Sequence, residues 1–191
     1  MGYKVEIGIS NKHLHLSKED LEKLFGEGYD LTPIKDLKQP GQFAADEKVD
    51  LIGPKGTLKG IRVLGPVRPE TQVELSMTDA RNIGMAPPIR ESAVLDGSPG
   101  MTIAGPNGEV EIGKGVIVAL RHIHLSEQQA IDAGVKDKDI VDVETYGSRP
   151  VLFEDVLIRA GSKYERELHL DTDEANAAGV KNGELAEIIK K

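Results

Sequence analysis

The chain has no cysteine and no tryptophan. The first absence removes disulfides, thiolate metal sites and cysteine nucleophiles together, so an acyl-cysteine intermediate is excluded. With no Trp and only three Phe and four Tyr, no base-stacking platform for nucleic acid is evident. The formal net charge of −8 points the same way, because a diffuse negative surface disfavours sequence-independent nucleic-acid binding. It leaves room for an anionic substrate held by a local cluster of cations. No run of about 18 apolar residues is present, so no transmembrane helix is expected. The amino terminus goes almost straight into a strand-like stretch, Tyr3 to Ile9, which predicts no signal peptide and a cytoplasmic location. No P-loop, Gly-x-Gly-x-x-Gly or Gly-x-Ser-x-Gly occurs, so nucleotide-loop and serine-hydrolase readings have no support.

Histidine is also scarce, and its distribution is the main signal. Four of the five histidines fall in two copies of one phrase, Lys12-His13-Leu14-His15-Leu16-Ser17 and Arg121-His122-Ile123-His124-Leu125-Ser126. The fifth, His169, lies in Glu167-Leu168-His169-Leu170-Asp171. On a strand, His-x-His presents two imidazoles on one face and its leucines on the other. A single His-x-His is more often a surface or core-edge feature. Two copies with the same Leu-Ser continuation point to metal ligation.

Along the chain, Val5, Ile7 and Ile9 alternate with polar residues and Gly8 to make a half-buried strand. Ser17, Ser76, Ser126 and Asp171 each open a cap signature before a short helix that a glycine ends. Residues 29–48 read as a loop with minor structure. Residues 50–64 and 101–112 read as hairpins, and 85–100 shows little periodicity. Strand-like stretches follow at 139–145, 150–158, 165–170 and 185–189. One unit therefore recurs four times: strand, metal-type side chain, cap, short helix, glycine.

The two His-x-His units align at an offset of 109 (122 − 13) and the other two at 95 (169 − 74). The second alignment sets Glu74 against His169 and Ser76 against Asp171. The halves thus read as diverged copies, each offering three ligands: His13, His15 and Glu74 from one, His122, His124 and His169 from the other. Such three-ligand sets are the kind used by catalytic zinc, with an open position for water or substrate; cobalt or nickel would also fit. Arg68, held between Pro66 and Pro69 six residues before Glu74, is placed to grip a phosphate with its fork of N–H groups.

At these residues the chain resembles the PduL-type phosphotransacylase, the phosphate acyltransferase of propanediol utilisation. The resemblance rests on Asn11-Lys-His-Leu-His-Leu-Ser17, Gly65-Pro-Val-Arg-Pro-Glu-Thr-Gln-Val-Glu74, Arg121-His-Ile-His-Leu-Ser126 and Leu168-His-Leu-Asp171, and it covers nearly all of the chain. It implies a mainly β fold: two small β-barrels capped by short α-helices, related by internal duplication. One domain would comprise residues 1–11 plus 120–191, the other residues 12–119 with an inserted loop or hairpin at 29–48. It implies two zinc ions per chain, one held by His13, His15 and Glu74, the other by His122, His124 and His169. Arg68 would bind the incoming phosphate as the catalytic residue. Ser10, Asn11, Lys12, Lys35, Arg62 and Asn176 would line the site for coenzyme A.

The implied reaction converts acyl-CoA and phosphate into acyl phosphate and CoA. Phosphate would attack the thioester directly with dizinc assistance, and the donor would be propanoyl-CoA or acetyl-CoA. The partners would be acyl-CoA, CoA, phosphate and acyl phosphate, with neither nucleic acid nor membrane involved. Homodimerisation and association with a bacterial microcompartment stay open. The alternatives are a dinuclear-zinc hydrolase of thioesters or phosphoesters, since the same ligands can activate water, and a non-catalytic metal-binding scaffold protein.

Overall fold

The computed structural model describes Gly2–Ile189. Strand β1 (Tyr3–Ser10) runs into β2 (His13–His15) and helix α1 (Lys18–Phe25). Then come β3 (Pro33–Asp36) and a long hairpin, β4 (Phe43–Gly53) and β5 (Gly56–Gly65). Strand β6 (Gln72–Glu74) leads to α2 (Met77–Asn82) and the short β7 (Ile89–Arg90). A second hairpin, β8 (Met101–Gly105) and β9 (Gly108–Ile112), precedes β10 (Val116–Ala119), β11 (His122–Leu125) and α3 (Glu127–Ala133). The remainder is β12 (Ile140–Thr145), β13 (Leu152–Ala160), β14 (Glu167–Asp171), α4 (Thr172–Ala178) and β15 (Leu185–Ile189). The fold is mainly β with few, short helices.

These elements form two compact units. The first takes residues up to Asn11, Lys38–Pro40, and the chain from Leu120 onward; the second takes Lys12–Leu37 and Gly41–Ala119. In the first unit six strands close into a barrel in the order β1-β14-β11-β13-β12-β15. Strand β1 lies parallel to β14, with Ile7 opposite Leu168, and antiparallel to β15. Its core is built by alternation: Val5, Ile7, Ile123, Leu125, Leu168 and Leu170 point inward and are buried. Helices α3 and α4 lay Ala130, Ala133, Ala175 and Ala178 on that core, and methyl-sized side chains let such short helices sit close.

The second unit repeats this strand order as β10-β6-β2-β5-β4. Its sheet stays open, a half-barrel. The edge of β4 away from β5 is taken by β3 along its first part and by the hairpin β8–β9 along its last, and β7 pairs parallel with β10 instead of closing onto β4. Leu14, Leu16, Val63, Val73 and Val116 form the centre of its core.

The duplicated halves share a register as well as an order. Across β2–β6, Leu14 faces Val73 and His13 faces Glu74; across β11–β14, Ile123 faces Leu168 and His122 faces His169. The cap residues then set how the chain leaves each ligand strand. Ser17, Ser76, Ser126 and Asp171 each accept from the backbone N–H three residues on, satisfying one of the first-turn donors. Gly134 and Gly179 take left-handed φ of 65° and 63° to end α3 and α4, a conformation costly for a side chain with a Cβ.

Residues 29–48, read as a loop with minor structure or an inserted hairpin, hold β3 and the first half of β4, which pair antiparallel. The pattern is masked because Glu47 occupies a core-facing position on β4, where it is 5% exposed. Its carboxylate is satisfied there by the Tyr29 hydroxyl at 2.9 Å and the Thr32 N–H at 3.1 Å. A register shift between Ala44 and Lys48 further breaks the alternation.

Candidate metal centres

In the half-barrel the site grows from one strand pair. Alternation puts His13 and His15 on one face of β2, and β6 sets Glu74 opposite His13 and Gln72 opposite His15. One side-chain donor atom from each of His13, His15 and Glu74 lies within 4.8 Å of the others. His13 Nε2 and Glu74 Oε2 are 3.5 Å apart. The Nδ1 of His15 is 3.1 Å from the Leu64 carbonyl. A carbonyl only accepts, so Nδ1 carries the proton and Nε2 keeps the lone pair.

Burial, reinforced by the neighbouring His13 and Arg68 charges, pushes His15 down to about 3 and keeps its ring neutral. Burial opposes ionisation of Glu74, yet His13, then His15 and Arg68, hold its carboxyl well below the usual carboxylate range. Neutral imidazole beside ionised carboxylate is the protonation state that a divalent cation needs. The donor set, nitrogen and oxygen without sulfur, fits zinc.

Arg68 is pinned beside this set. Its N–H donates to the Leu16 carbonyl at 2.9 Å, and it forms a β-bridge with Ser17. Its Nη1 donates to Ser92 Oγ at 3.2 Å, and Ser92 Oγ donates to Glu74 Oε1 at 3.3 Å. Gln72 Nε2 donates to Glu74 Oε1 and, at 2.8 Å, to Ser92 Oγ. Its own Oε1 accepts from the Ala93 N–H at 2.7 Å. Sequence reading misses both partners: Ser92 lies in the aperiodic 85–100 stretch, and Gln72 signals only by sharing a strand face with Glu74.

In the barrel the corresponding set is made of His122, His124 and His169, again with donor atoms within 4.8 Å. The His122 and His169 rings stack at 4.8 Å and 12°, and His124 meets each of them edge-on at 4.6 and 4.8 Å. His122 Nδ1 donates to the Leu120 carbonyl at 2.8 Å, which leaves its Nε2 with the lone pair. On the far side of His124 the Tyr164 ring stacks at 4.3 Å, and Arg159 donates to the Tyr164 hydroxyl at 3.0 Å. Glu167 Oε2 lies 3.0 Å from His169 Nε2. Three converging imidazoles repel one another when protonated and share a cation well when neutral, so this donor set fits zinc too.

The remaining candidates lie elsewhere. Lys12 pairs with Asp79 at 3.0 Å, and Lys35 stands on the exposed β3. Arg62, half-buried on β5, donates to the Ala45 carbonyl. Ser10 ends β1 opposite Asp171, Asn11 follows it in an exposed position, and Asn176 is exposed on α4.

The family model for phosphate propanoyltransferase matches residues 6–181. A phosphate propanoyltransferase of Thermotoga maritima is 56% identical over 185 residues, covering 96% of this chain and 88% of its own. One from Clostridioides difficile is 49% identical over 187 residues, covering 98% and 90%. One from Sebaldella termitidis is 48% identical over 190 residues, covering 100% and 90%.

Proposed function

The chain belongs to the phosphate propanoyltransferase family, and from that premise we propose that it transfers the acyl group of propanoyl-CoA or acetyl-CoA to phosphate, with one zinc ion in each donor set. The observation that carries this reading is Arg68, a fixed guanidinium beside a neutral His15 and an ionised Glu74. His13, His15 and Glu74 would hold one ion, and His122, His124 and His169 the other. Bound zinc would polarise a carbonyl and offset the charge of an oxyanion.

The chain's own residues do the rest. Arg68 offers N–H groups to a phosphate dianion and partly neutralises it, so that phosphate can approach a thioester. Its fork geometry orients the phosphate as well as binding it. A phosphate oxygen attacks the acyl carbonyl, the C–S bond breaks, and the proton of hydrogen phosphate passes to the departing CoA thiolate. Holding both substrates together supplies several kcal/mol of the barrier reduction. Without cysteine no acyl-enzyme on sulfur forms, and direct attack by phosphate proceeds through a ternary complex. Lys35 and Arg62 would meet the phosphates of CoA, with Ser10, Asn11, Lys12 and Asn176 adding contacts.

The test is acyl phosphate, trapped as its hydroxamate, from acetyl- and propanoyl-CoA with and without phosphate. Phosphate-dependent product with intersecting initial-rate lines supports the reading. CoA release without phosphate would make the chain a hydrolase, and parallel lines would rule out direct transfer.

A further inference from the structure

One guanidinium of the half-barrel is left without a partner. Arg90, the last residue of β7, is half-buried, and its Nε is buried with no hydrogen bond. Only that nitrogen is closed off, so the outer N–H groups stay within reach of a ligand. Among the described residues the other half-buried arginines all have partners. Arg62 donates to the Ala45 carbonyl, Arg68 to Ser92, Arg121 to Glu174 and Arg159 to Tyr164, and Arg166 lies over the Tyr3 ring. Leaving a charged donor unbonded at a buried position works against folding, so such a group calls for a physical reason.

Register puts Arg90 on the face that carries the ligands. Across β2–β6 His13 faces Glu74, across β6–β10 Glu74 faces Ile117, and across β10–β7 Ala119 faces Arg90. Ile117 and Ala119 are two residues apart, so alternation gives these five side chains the same side of the sheet. The chain then leaves β7 and crosses that face to β6. Ser92 Oγ is bonded to Gln72, Glu74 and Arg68, and the Ala93 N–H donates to Gln72 Oε1 at 2.7 Å. Ala93 is held at a left-handed φ of 77°, a strained conformation that persists where the surroundings impose it, as at ligand sites. The stretch 90–93 thus carries one guanidinium and, through Ser92, holds another.

Resting on the phosphate acyltransferase reading, we infer that Arg90 is a second anion-binding residue of this face and takes a phosphoryl group of a substrate. Phosphoryl oxygens accept the N–H groups that the fold leaves unbonded, and a guanidinium fork matches their geometry. Two sources carry that chemistry, inorganic phosphate and the phosphates of CoA.

The experiment is calorimetric titration of the zinc-loaded full chain with inorganic phosphate, with CoA and with pantetheine, which carries no phosphate. It compares wild type, Arg90→Met and Arg90→Lys, together with the Tm of each unliganded protein. Met keeps the apolar stem and removes every N–H. Arg90→Met should weaken phosphate or CoA by about 10- to 100-fold, and Arg90→Lys, which keeps the charge without the fork, by less. A loss confined to phosphate identifies inorganic phosphate as the source. A loss confined to CoA, with pantetheine unchanged, identifies the CoA phosphates. Because Arg90 bonds nothing in the fold, the unliganded Met variant should melt no lower than wild type. A lower Tm, pantetheine weakened as much as CoA, or wild-type affinity for both phosphate and CoA would overturn the inference alone. A wild type that binds neither phosphate nor CoA would overturn the phosphate acyltransferase reading and this inference with it.

Discussion

Replacing Arg68 with Ala removes the guanidinium assigned to phosphate while leaving the three neighbouring donors in place. A hydrogen bond to a charged group contributes roughly 1.5–3 kcal/mol. Arg68 Nη1 is already shared with Ser92 Oγ, so the fork does not offer its full set of N–H groups to a ligand. The loss should therefore be about 3 kcal/mol, or roughly 100-fold in kcat/KM for phosphate at 1.4 kcal/mol per tenfold. Arg68→Lys keeps the charge but not the fork, and it should fall between, near tenfold.

The assay is initial-rate kinetics with phosphate and propanoyl-CoA varied independently, read as thiol release. The defect should appear on the phosphate axis, with the KM for acyl-CoA changing by less than about threefold. Bound zinc should be unchanged, because Arg68 lowers the Glu74 carboxyl less than His13 does and stands outside the β2–β6 pairing that places the three donors. A wild-type phosphate KM in Arg68→Ala refutes the role given to this residue. Equal defects on both axes with zinc lost would mean that Arg68 supports the fold of the site instead.

Other expectations concern what holds the ligands in place. Leu14 and Ile123 sit between the paired histidines with no exposed surface, so Leu14→Ala and Ile123→Ala should each cost about 2–5 kcal/mol. Calorimetry should record a fall of roughly 5–15 °C in Tm; a fall under about 2 °C would contradict the packing described. Ser126→Ala removes one arm of a complete capping box and should cost about 1 kcal/mol in urea unfolding. Burial opposes the charge of Glu47, but hydrogen bonds from its own backbone N–H, then Thr32 and Tyr29, hold its carboxyl below the usual range. A depressed carboxyl stabilises the fold above the unfolded value of about 4.3, and that stability is lost as pH falls through the lower folded value. Wild type should therefore exceed Glu47→Gln in urea midpoint at pH 7 and converge on it in acid. A gap that is constant with pH would contradict this.

Much of the site was legible because the duplication is written twice in residues with unusual chemistry. The offsets of 109 and 95 pair His13 with His122 and Glu74 with His169, and the structure shows those residues at equal register. The caps were legible for a similar reason: Ser17, Ser76, Ser126 and Asp171 act on backbone donors three residues away. What escaped depends on distant parts of the chain. Pattern alone could not say that β1 pairs with β14 and β15, because strand pairing leaves no local mark. Ser92 and Gln39 sit in stretches without periodicity, and only tertiary contacts bring them to Glu74 and Glu167. Nor does strand patterning reveal that β8 takes the edge of β4 and keeps the second sheet open.

The most direct test is a zinc titration of chelator-treated protein, followed by CoA release from propanoyl-CoA in phosphate buffer. Activity should be absent at the start, rise as zinc is added and level off at two equivalents per chain, with no release in phosphate-free buffer. Full activity in the metal-free protein, or release that ignores phosphate, would contradict the account.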